Sequence, residues 1–225
     1  MLVNADFRQP ALLTPEEYRW VSSPQAGVER VMLDRMGAES GRATSVVRYA
    51  PRSHFPRHTH HGGEEILVLS GTFSDDSRDY PAGWYLRNPP GSSHQPSSAP
   101  GTVILVKLWQ MRTDEQEPVR INTGDPANWG HVNGRLVCPL YQDRHERVRL
   151  VQLPPGDLLF RCPVEGAEFF VLEGQLRFDD RKLEEGSWAR LPHGQHMAAR
   201  AGKTGAKVYL KTGHLIELIG NSESC

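Results

Sequence analysis

The segment APRSHFPRHTHHGGEEILVLSG, residues 50–71, has a diverged copy further along the chain. It aligns without a gap with LPPGDLLFRCPVEGAEFFVLEG, residues 153–174, at an offset of 103 positions. The same offset brings AGWYLRNPPG (82–91) onto EGSWARLPHG (185–194). Two segments in one shared register indicate an internal repeat, so the chain is predicted to contain a duplicated module.

Short apolar runs, bounded by glycine, proline, aspartate or serine, recur throughout both modules. Examples are ATSVVRYA (43–50), EILVLSG (65–71), TVILVKLWQM (102–111), RVRLVQL (147–153), EFFVLEG (168–174) and KVYLKTG (207–213). Runs of this length and composition are typical of the strands of a β-sandwich or barrel. We therefore predict an all-β fold in which each module forms a sandwich or a barrel.

Composition excludes several classes of protein. The 225 residues carry a net charge of −1 and contain no long basic tract, so we expect no nucleic-acid partner. No window approaches 18 apolar residues and no leader-like segment starts the chain, so we expect a cytoplasmic protein without a membrane span. The three cysteines, Cys138, Cys162 and Cys225, are too far apart for a CxxC motif or a disulfide framework.

The stretch HTHHGGEE, residues 58–65, is rich in potential metal ligands. Because strand residues two apart share a face, His58 and His60 are expected to point the same way, while His61 points away. Glu64 begins the next run on the face of Ile66 and Val68.

His94 follows the turn PPGSS and is the fourth candidate ligand. Three imidazoles and a carboxylate suit zinc, iron, manganese, nickel or copper better than calcium or magnesium. Candidate pocket or supporting residues are His61, Tyr49, Arg87 and Lys107, and Glu65 is expected to face outward.

The spacing of these residues resembles a known pair of motifs. HxH-x3-E-x6-G, from His58 to Gly71, followed by G-x5-PxG-x2-H, from Gly83 to His94, resembles the two cupin motifs. More narrowly, HTHHGGEEILVLSGTFSDD, YPAGWYLRNPPGSSHQPSS and ILVKLWQM resemble the cupin domain of ChrR-type anti-sigma factors. The resemblance implies a bicupin of two jelly-roll barrels, with zinc on the matching histidines and glutamate of the first.

The second module keeps the frame of the first without its ligands. The residues at the four ligand positions are Arg161, Pro163, Ala167 and Met197. His196 reaches the last position only if the preceding turn is one residue shorter, and His193 lies nearby. One ligand does not hold a metal, so the second barrel is predicted to be structural or to form a pocket without metal.

The predicted organisation is an N-terminal arm (1–25), a metal-binding cupin (26–112), a linker (113–127), a degenerate cupin (128–220) and a tail (221–225).

Two functions are compatible with this sequence. One is a zinc-dependent regulatory or sensor module of an oxidative stress response. Its candidate partner is a sigma factor, although the zinc domain that usually binds sigma is missing. The other is a dioxygenase- or hydrolase-type enzyme that uses iron, manganese or nickel and binds a small organic molecule. Free strand edges also suggest a homodimer.

Overall fold

The computed structural model of the chain describes residues 1–38, 40–195 and 197–216. Its strands, numbered along the chain, are β1 (Leu2–Val3), β2 (Ala11–Leu13), β3 (Val21–Ser22), β4 (Val28–Met36), β5 (Arg42–Tyr49), β6 (Ser53–His54), β7 (His58–Thr59), β8 (Glu64–Ser74), β9 (Asp79–Pro81), β10 (Trp84–Asn88), β11 (Ser93–His94), β12 (Ser97–Ser98), β13 (Thr102–Leu108), β14 (Val119–Asn122), β15 (Gly130–Val132), β16 (Arg135–Gln142), β17 (Arg147–Leu153), β18 (Glu165–Phe178), β19 (Arg181–Glu184), β20 (Trp188–His193) and β21 (Arg200–Thr212). Short 3₁₀ turns cover Pro15–Glu17 and Pro126–Asn128. Within the described residues, no helix is long and apolar enough to span a membrane.

The chain divides into two compact units. The first consists of Met1–Ala5 and Arg19–Asp125, and the second of Asp6–Tyr18 and the chain from Pro126 onward. Each unit is built around one antiparallel sheet and has its own hydrophobic core.

In the first unit, the main path of antiparallel strands runs β1-β4-β5-β13-β8-β10-β14. Strands β3, β9 and β12 pair with members of this path, β6 pairs with β12, and β7 pairs with β11 in a two-stranded ribbon. Alternate residues of the long strands point inward. Ile66 and Val68 of β8 therefore pack with Ile104 and Val106 of β13 in the core.

In the second unit, the path runs β15-β16-β17-β21-β18-β20-β2, and β19 pairs with β18. Its central five strands correspond in order to β4-β5-β13-β8-β10 of the first unit. The all-β prediction of two tandem jelly-roll barrels is confirmed, and the sequence repeat corresponds to a repeat of strand order.

The segments predicted as an arm and a linker both contribute strands. Strand β2 pairs with β20, so Asp6–Tyr18 belongs to the second unit, and β14 pairs with β10 in the first. Every residue of β14 is half-buried, and such an edge strand needs little apolar sequence to form. Val119 and Ile121 are the only large apolar side chains in a segment, residues 112–127, that is otherwise polar and rich in turn residues, so the strand was not predicted. The predicted tail lies outside the described residues.

A glycine at the same place in each unit allows two strands to approach closely. Gly71 has φ of +71°, and a Cβ atom there would lie 2.0 Å from the Gly101 carbonyl oxygen. Gly174 has φ of +72°, and its Cβ atom would lie 2.4 Å from the Gly205 carbonyl oxygen. The equivalence explains why the alignment keeps both glycines although many neighbouring side chains differ.

Substituting Gly71 tests this close approach. Gly71→Ala combines a left-handed backbone with a clash against backbone atoms, so we expect the free energy of unfolding to fall by about 3 kcal/mol or more. The matched control is Gly91→Ala, which has φ of +84° but no heavy atom within 4 Å of the added Cβ atom. It should lose only about 1 kcal/mol. Equal losses in chemical denaturation of metal-free protein would contradict the close-approach argument.

Candidate metal centre

A two-stranded ribbon brings His58 and His94 face to face. Strands β7 and β11 pair antiparallel, with His94 directly opposite His58 and Ser93 opposite Thr59. Side chains at directly opposed positions share one face of the ribbon. The 36 positions that separate the two histidines in sequence are thus bridged by a single strand pair.

His60 and Glu64 are oriented by the turns and the strand that follow the ribbon. The backbone N–H of His60 donates to the Ser92 carbonyl at 2.9 Å, and the N–H of Gly91 donates to the His60 carbonyl at 2.9 Å. Glu64 is the first residue of β8, where it lies opposite Asn88 on β10. Its inward neighbours along β8 are Ile66 and Val68, as the alternation predicts.

The four candidate ligands come together, and we call them the His–Glu cluster. Its members are His58, His60, Glu64 and His94, and one potential ligand atom of each lies within 4.8 Å of those of the others. The Nε2 atoms of His60 and His94 are 2.9 Å apart. The nearer Glu64 oxygen is 3.3 Å from His60 Nε2 and 3.4 Å from His94 Nε2.

The separations among His60, Glu64 and His94 are close to those of donors around a shared metal ion. Two donors that each lie about 2.1 Å from one ion are themselves about 3.0–3.4 Å apart. The His58 Nδ1 atom is 2.9 Å from the Pro56 carbonyl oxygen, which it can contact only as a donor, so its Nε2 atom is left as the unprotonated ligand atom. Nitrogen and carboxylate donors in this ratio suit zinc and the later first-row transition metals.

A chain of polar side chains holds Glu64 in place. The Asn88 amide donates to Glu64 Oε2 at 2.9 Å, and Asn88 Oδ1 accepts from Arg120 Nη2 at 2.5 Å. Arg120 also donates to the Arg87 carbonyl at 3.0 Å. Asn88 and Arg120 were not predicted from the sequence. No local sequence signal identifies Asn88, because its place opposite Glu64 follows from the pairing of β8 with β10.

Burial keeps the histidines ready to bind a cation. Loss of solvation, with a smaller contribution from neighbouring histidines, lowers the pKa of His60 to about 4. Burial also lowers the pKa of His94, although the nearby Glu64 carboxylate partly opposes that change. Both rings are therefore neutral at pH 7, and metal binding does not have to displace protons from them.

The cluster forms part of the wall of a cavity of about 440 Å³ inside the first unit. His58, His60 and Glu64 line it, and most of the remaining wall is apolar, with Val47, Phe55, Ile104, Val106 and Leu108 among its residues. A cavity of this size is within the range of about 300–1,000 Å³ that is usual for small-molecule sites.

Two arginines, Arg30 and Arg35, also line this cavity, and the sequence gave no reason to select them. Both belong to β4, but five positions apart they would face opposite ways on a regular strand. A bulge between Met32 and Asp34 shifts the register, so that Arg30 lies opposite Val47 and Arg35 opposite Ala43. The bulge thus brings both arginines to the inner face. Glu64 is the one carboxylate among the described lining residues.

The predicted supporting residues separate into two groups. Tyr49 lines the cavity, where burial, and secondarily the Glu64 charge, raise the pKa of its hydroxyl, which therefore stays protonated. His61 is exposed, with its ring 6.2 Å from that of Trp109. Arg87 and Lys107 do not line the cavity and are buried on the opposite face of the sheet.

On that face, Glu65 lies between Arg87 and Lys107 in neighbouring strands, and Arg87 Nη1 is 3.1 Å from Glu65 Oε2. Glu65 points away from the cavity as expected, but it is buried rather than solvent-exposed. The second unit repeats the row with Glu168 opposite Arg190 and Lys211. Because the row recurs in the unit that lacks the ligands, it belongs to the fold and not to the metal centre.

The sequence model of the ChrR cupin-like domain matches residues 8–112. None of the curated protein sequences gives a significant match. Solved structures do match. A proposed dioxygenase from Nostoc punctiforme is 16% identical, with a TM-score of 0.74 over 93% of this chain and 84% of its own. A pirin from Escherichia coli, solved with nickel(II), is 12% identical, with a TM-score of 0.65 over 91% of this chain and 98% of its own. The 11S allergen of Cocos nucifera is 12% identical, with a TM-score of 0.66 over 97% of each chain.

Residues 8–112 are similar to the ChrR cupin-like domain, as the spacing of the histidines and glycines predicts, and the chain shares its fold with these solved structures. Sequence identities of 12–16% to the solved structures establish the fold and leave the activity open.

The second cupin domain has the same frame and a different interior. Ala167 stands at the position of Glu64 and Leu191 at that of Asn88, and the two lie opposite each other in neighbouring strands. Both belong to the hydrophobic core, as does Met197 at the position of His94. Among the described residues, the first domain supplies the single cluster with a metal-ligand arrangement. His196 lies outside the described residues.

Removing the Asn88 amide tests whether this side chain supports Glu64 as a metal ligand. Asn88→Ala deletes the hydrogen bond to Glu64 Oε2, and we expect metal affinity to fall about 10–100-fold. The matched control is Asn122→Ala on the adjacent strand β14, where the side chain accepts from the Gly124 N–H at 2.9 Å. Competition with a chromogenic chelator measures both affinities. An affinity loss in the control as large as that in Asn88→Ala would contradict a specific role for Asn88.

Proposed function

We propose that the first cupin domain binds one divalent transition-metal ion through the His–Glu cluster and presents it to a small organic molecule in the adjoining cavity. The observation that carries this proposal is that three members of the cluster line a cavity of about 440 Å³. A purely structural zinc site is normally closed by its protein ligands. A site that opens into a cavity of molecular size is better suited to a metal-dependent enzyme of the dioxygenase or hydrolase type.

Each part of the site has a distinct role in this proposal. When bound, the ion supplies Lewis acidity, and redox chemistry as well if it is iron or manganese. Asn88 holds Glu64 in one orientation, and the apolar wall excludes water from the space beside the cluster. Tyr49 supplies a protonated hydroxyl that can donate to an oxygen of the bound molecule.

Arg30 and Arg35 add positive charge to the cavity wall, although Arg35 Nη1 also donates to the Ala38 carbonyl at 2.6 Å. On the inner face, Arg35 lies in the same row across four strands as Glu64, through Ala43 and Leu108. At about 4.8 Å per strand, the row from Glu64 to Arg35 is roughly 14 Å long along the sheet. A small organic acid would thus place its carboxylate at the arginines and its other end toward the cluster.

The second candidate is a zinc-dependent regulatory domain, and the match of residues 8–112 to the ChrR cupin-like domain favours it. In that function the four ligands hold zinc as a sensor, and the cavity admits the signal molecule. In that function a sigma factor would be the protein partner.

Metal content tests the site and separates the two functions. Wild-type protein produced in minimal medium should contain one metal ion per chain by elemental analysis. His58→Ala and His94→Ala should each lower metal affinity by more than about 100-fold, since loss of a ligand costs more than loss of a supporting residue. The control is His61→Ala, which removes an exposed histidine outside the cluster and should retain the metal.

The identity of the ion decides between the candidates. Iron, manganese or nickel with coordinated water supports the enzyme, and stoichiometric zinc with no coordinated water supports the sensor. Metal content that neither His58→Ala nor His94→Ala reduces would refute the site itself.

Binding of a simple carboxylate tests the anion preference of the first cavity. Metal-free wild-type protein should bind hexanoate more tightly than hexanamide, and Arg30→Met should weaken hexanoate binding about tenfold without changing hexanamide binding. The matched control is Arg48→Met, since Arg48 pairs with Glu29 at 2.7 Å and stacks on Trp20. Calorimetry measures the affinities. An equal loss for both ligands in Arg30→Met would show an effect of cavity shape and not of charge.

A further inference from the structure

The second cupin domain has a cavity of about 850 Å³ with an unusual concentration of positive charge. Four arginines line it, namely Arg135, Arg147, Arg149 and Arg161. The aromatic rings of Trp129 and Tyr141 also line it, and no aspartate or glutamate does so among the described residues. The second domain therefore has an interior opening that differs in chemistry from the cavity of the first.

The arginines occupy positions that correspond to the cavity wall of the first domain. Arg149 lies opposite Leu210 on β21, just as Ser45 of the first domain lies opposite Val106 on β13. Arg147 is two residues before Arg149 on β17 and shares its face. Arg161 aligns with the ligand His58.

One carboxylate outside the lining compensates part of this charge. Asp157 Oδ2 is 2.7 Å from Arg135 Nε, and Asp157 Oδ1 is 3.2 Å from Arg161 Nη2. Arg135 also donates to the carbonyls of Leu158 and Leu159. These contacts fix the orientation of Arg135 while leaving a substantial positive charge in the cavity.

Arg147 and Arg149 carry the uncompensated part of the charge. The described residues offer neither of them a carboxylate partner. Burial, followed by the charges of Arg147 and Arg135, lowers the pKa of Arg149. Arg147 and Arg161 are exposed, while Arg135 and Arg149 are half-buried. Guanidinium groups gathered at one opening raise the local positive potential, which favours binding of an anion.

We propose that this cavity binds a small organic polyanion that carries carboxylate or phosphate groups. Guanidinium groups match both kinds of oxyanion through paired N–H donors, and Val137 and Val151 in the lining supply apolar wall for the rest of the molecule. A volume of about 850 Å³ lies within the range of small-molecule sites. In this proposal the first domain contains the metal site and the second domain an anion site.

The test uses the full chain freed of metal and two probes, tricarballylate and inorganic phosphate, with the uncharged tricarballylate triamide as a comparison. Calorimetry should detect tricarballylate, phosphate or both binding to wild-type protein, and no triamide binding. Arg149→Met and Arg161→Met should each weaken binding about tenfold or more, because each removes charge-assisted hydrogen bonds. Arg149→Lys should recover part of the affinity, since it restores the charge without the planar fork.

Two controls make the outcome specific. Arg144→Met removes an exposed arginine from the turn before β17 and should change affinity less than twofold. His94→Ala should bind the probes as wild-type protein does, which separates this site from the metal centre. The proposal is overturned if wild-type protein binds neither anion, if Arg149→Met and Arg161→Met bind normally while their melting temperatures show a folded protein, or if Arg144→Met is equally impaired.

Discussion

The geometry of the metal centre depends on the register of strand β8. In this register Glu64 faces the cavity and lies opposite Asn88 and Leu108, while Glu65 faces the other side and lies opposite Arg87 and Lys107. A slip of one residue would exchange the two faces, so that a buried ion-pair row would replace the ligand and the apolar wall. The glycines at Gly71 and Gly101 oppose such a slip, because the backbones approach too closely there for any side chain.

The two cupin domains separate what the fold requires from what the site requires. Both domains keep the central strand order, the close glycine contact and the outer row of glutamate, arginine and lysine. They differ at the inward positions, where Glu64 and Asn88 are polar while Ala167 and Leu191 are apolar. The second domain therefore keeps the barrel without these side chains, so the fold by itself does not require the His–Glu cluster of the first domain. The row of glutamate, arginine and lysine occurs in both domains, so we attribute it to the stability of the fold.

The environment of the His–Glu cluster combines three properties that favour a reactive metal. The donors are held by backbone turns and by Asn88, burial keeps His60 neutral, and one side of the cluster opens into an apolar cavity. Two arginines, Arg30 and Arg35, also line that cavity. Each property follows from a different element of the barrel.

Much of the fold and all four candidate ligands could be predicted from the sequence. The repeat is visible because both copies keep glycines and prolines at turns, and the ligands are visible because alternation along a strand is a local property. Asn88, Arg120, Arg30 and Arg35 were missed because their positions depend on pairing between strands that are distant in sequence.

A β-bulge in β4 places Arg35 on the inner face, whereas a regular strand would point it outward. Packing of neighbouring elements buries Arg87, Lys107 and Glu65. The sequence by itself determined the module, the repeat and the ligand types, since these are local patterns along one chain. Strand register, bulges and burial were decided only by the tertiary structure, because they arise from contacts that no single segment makes alone.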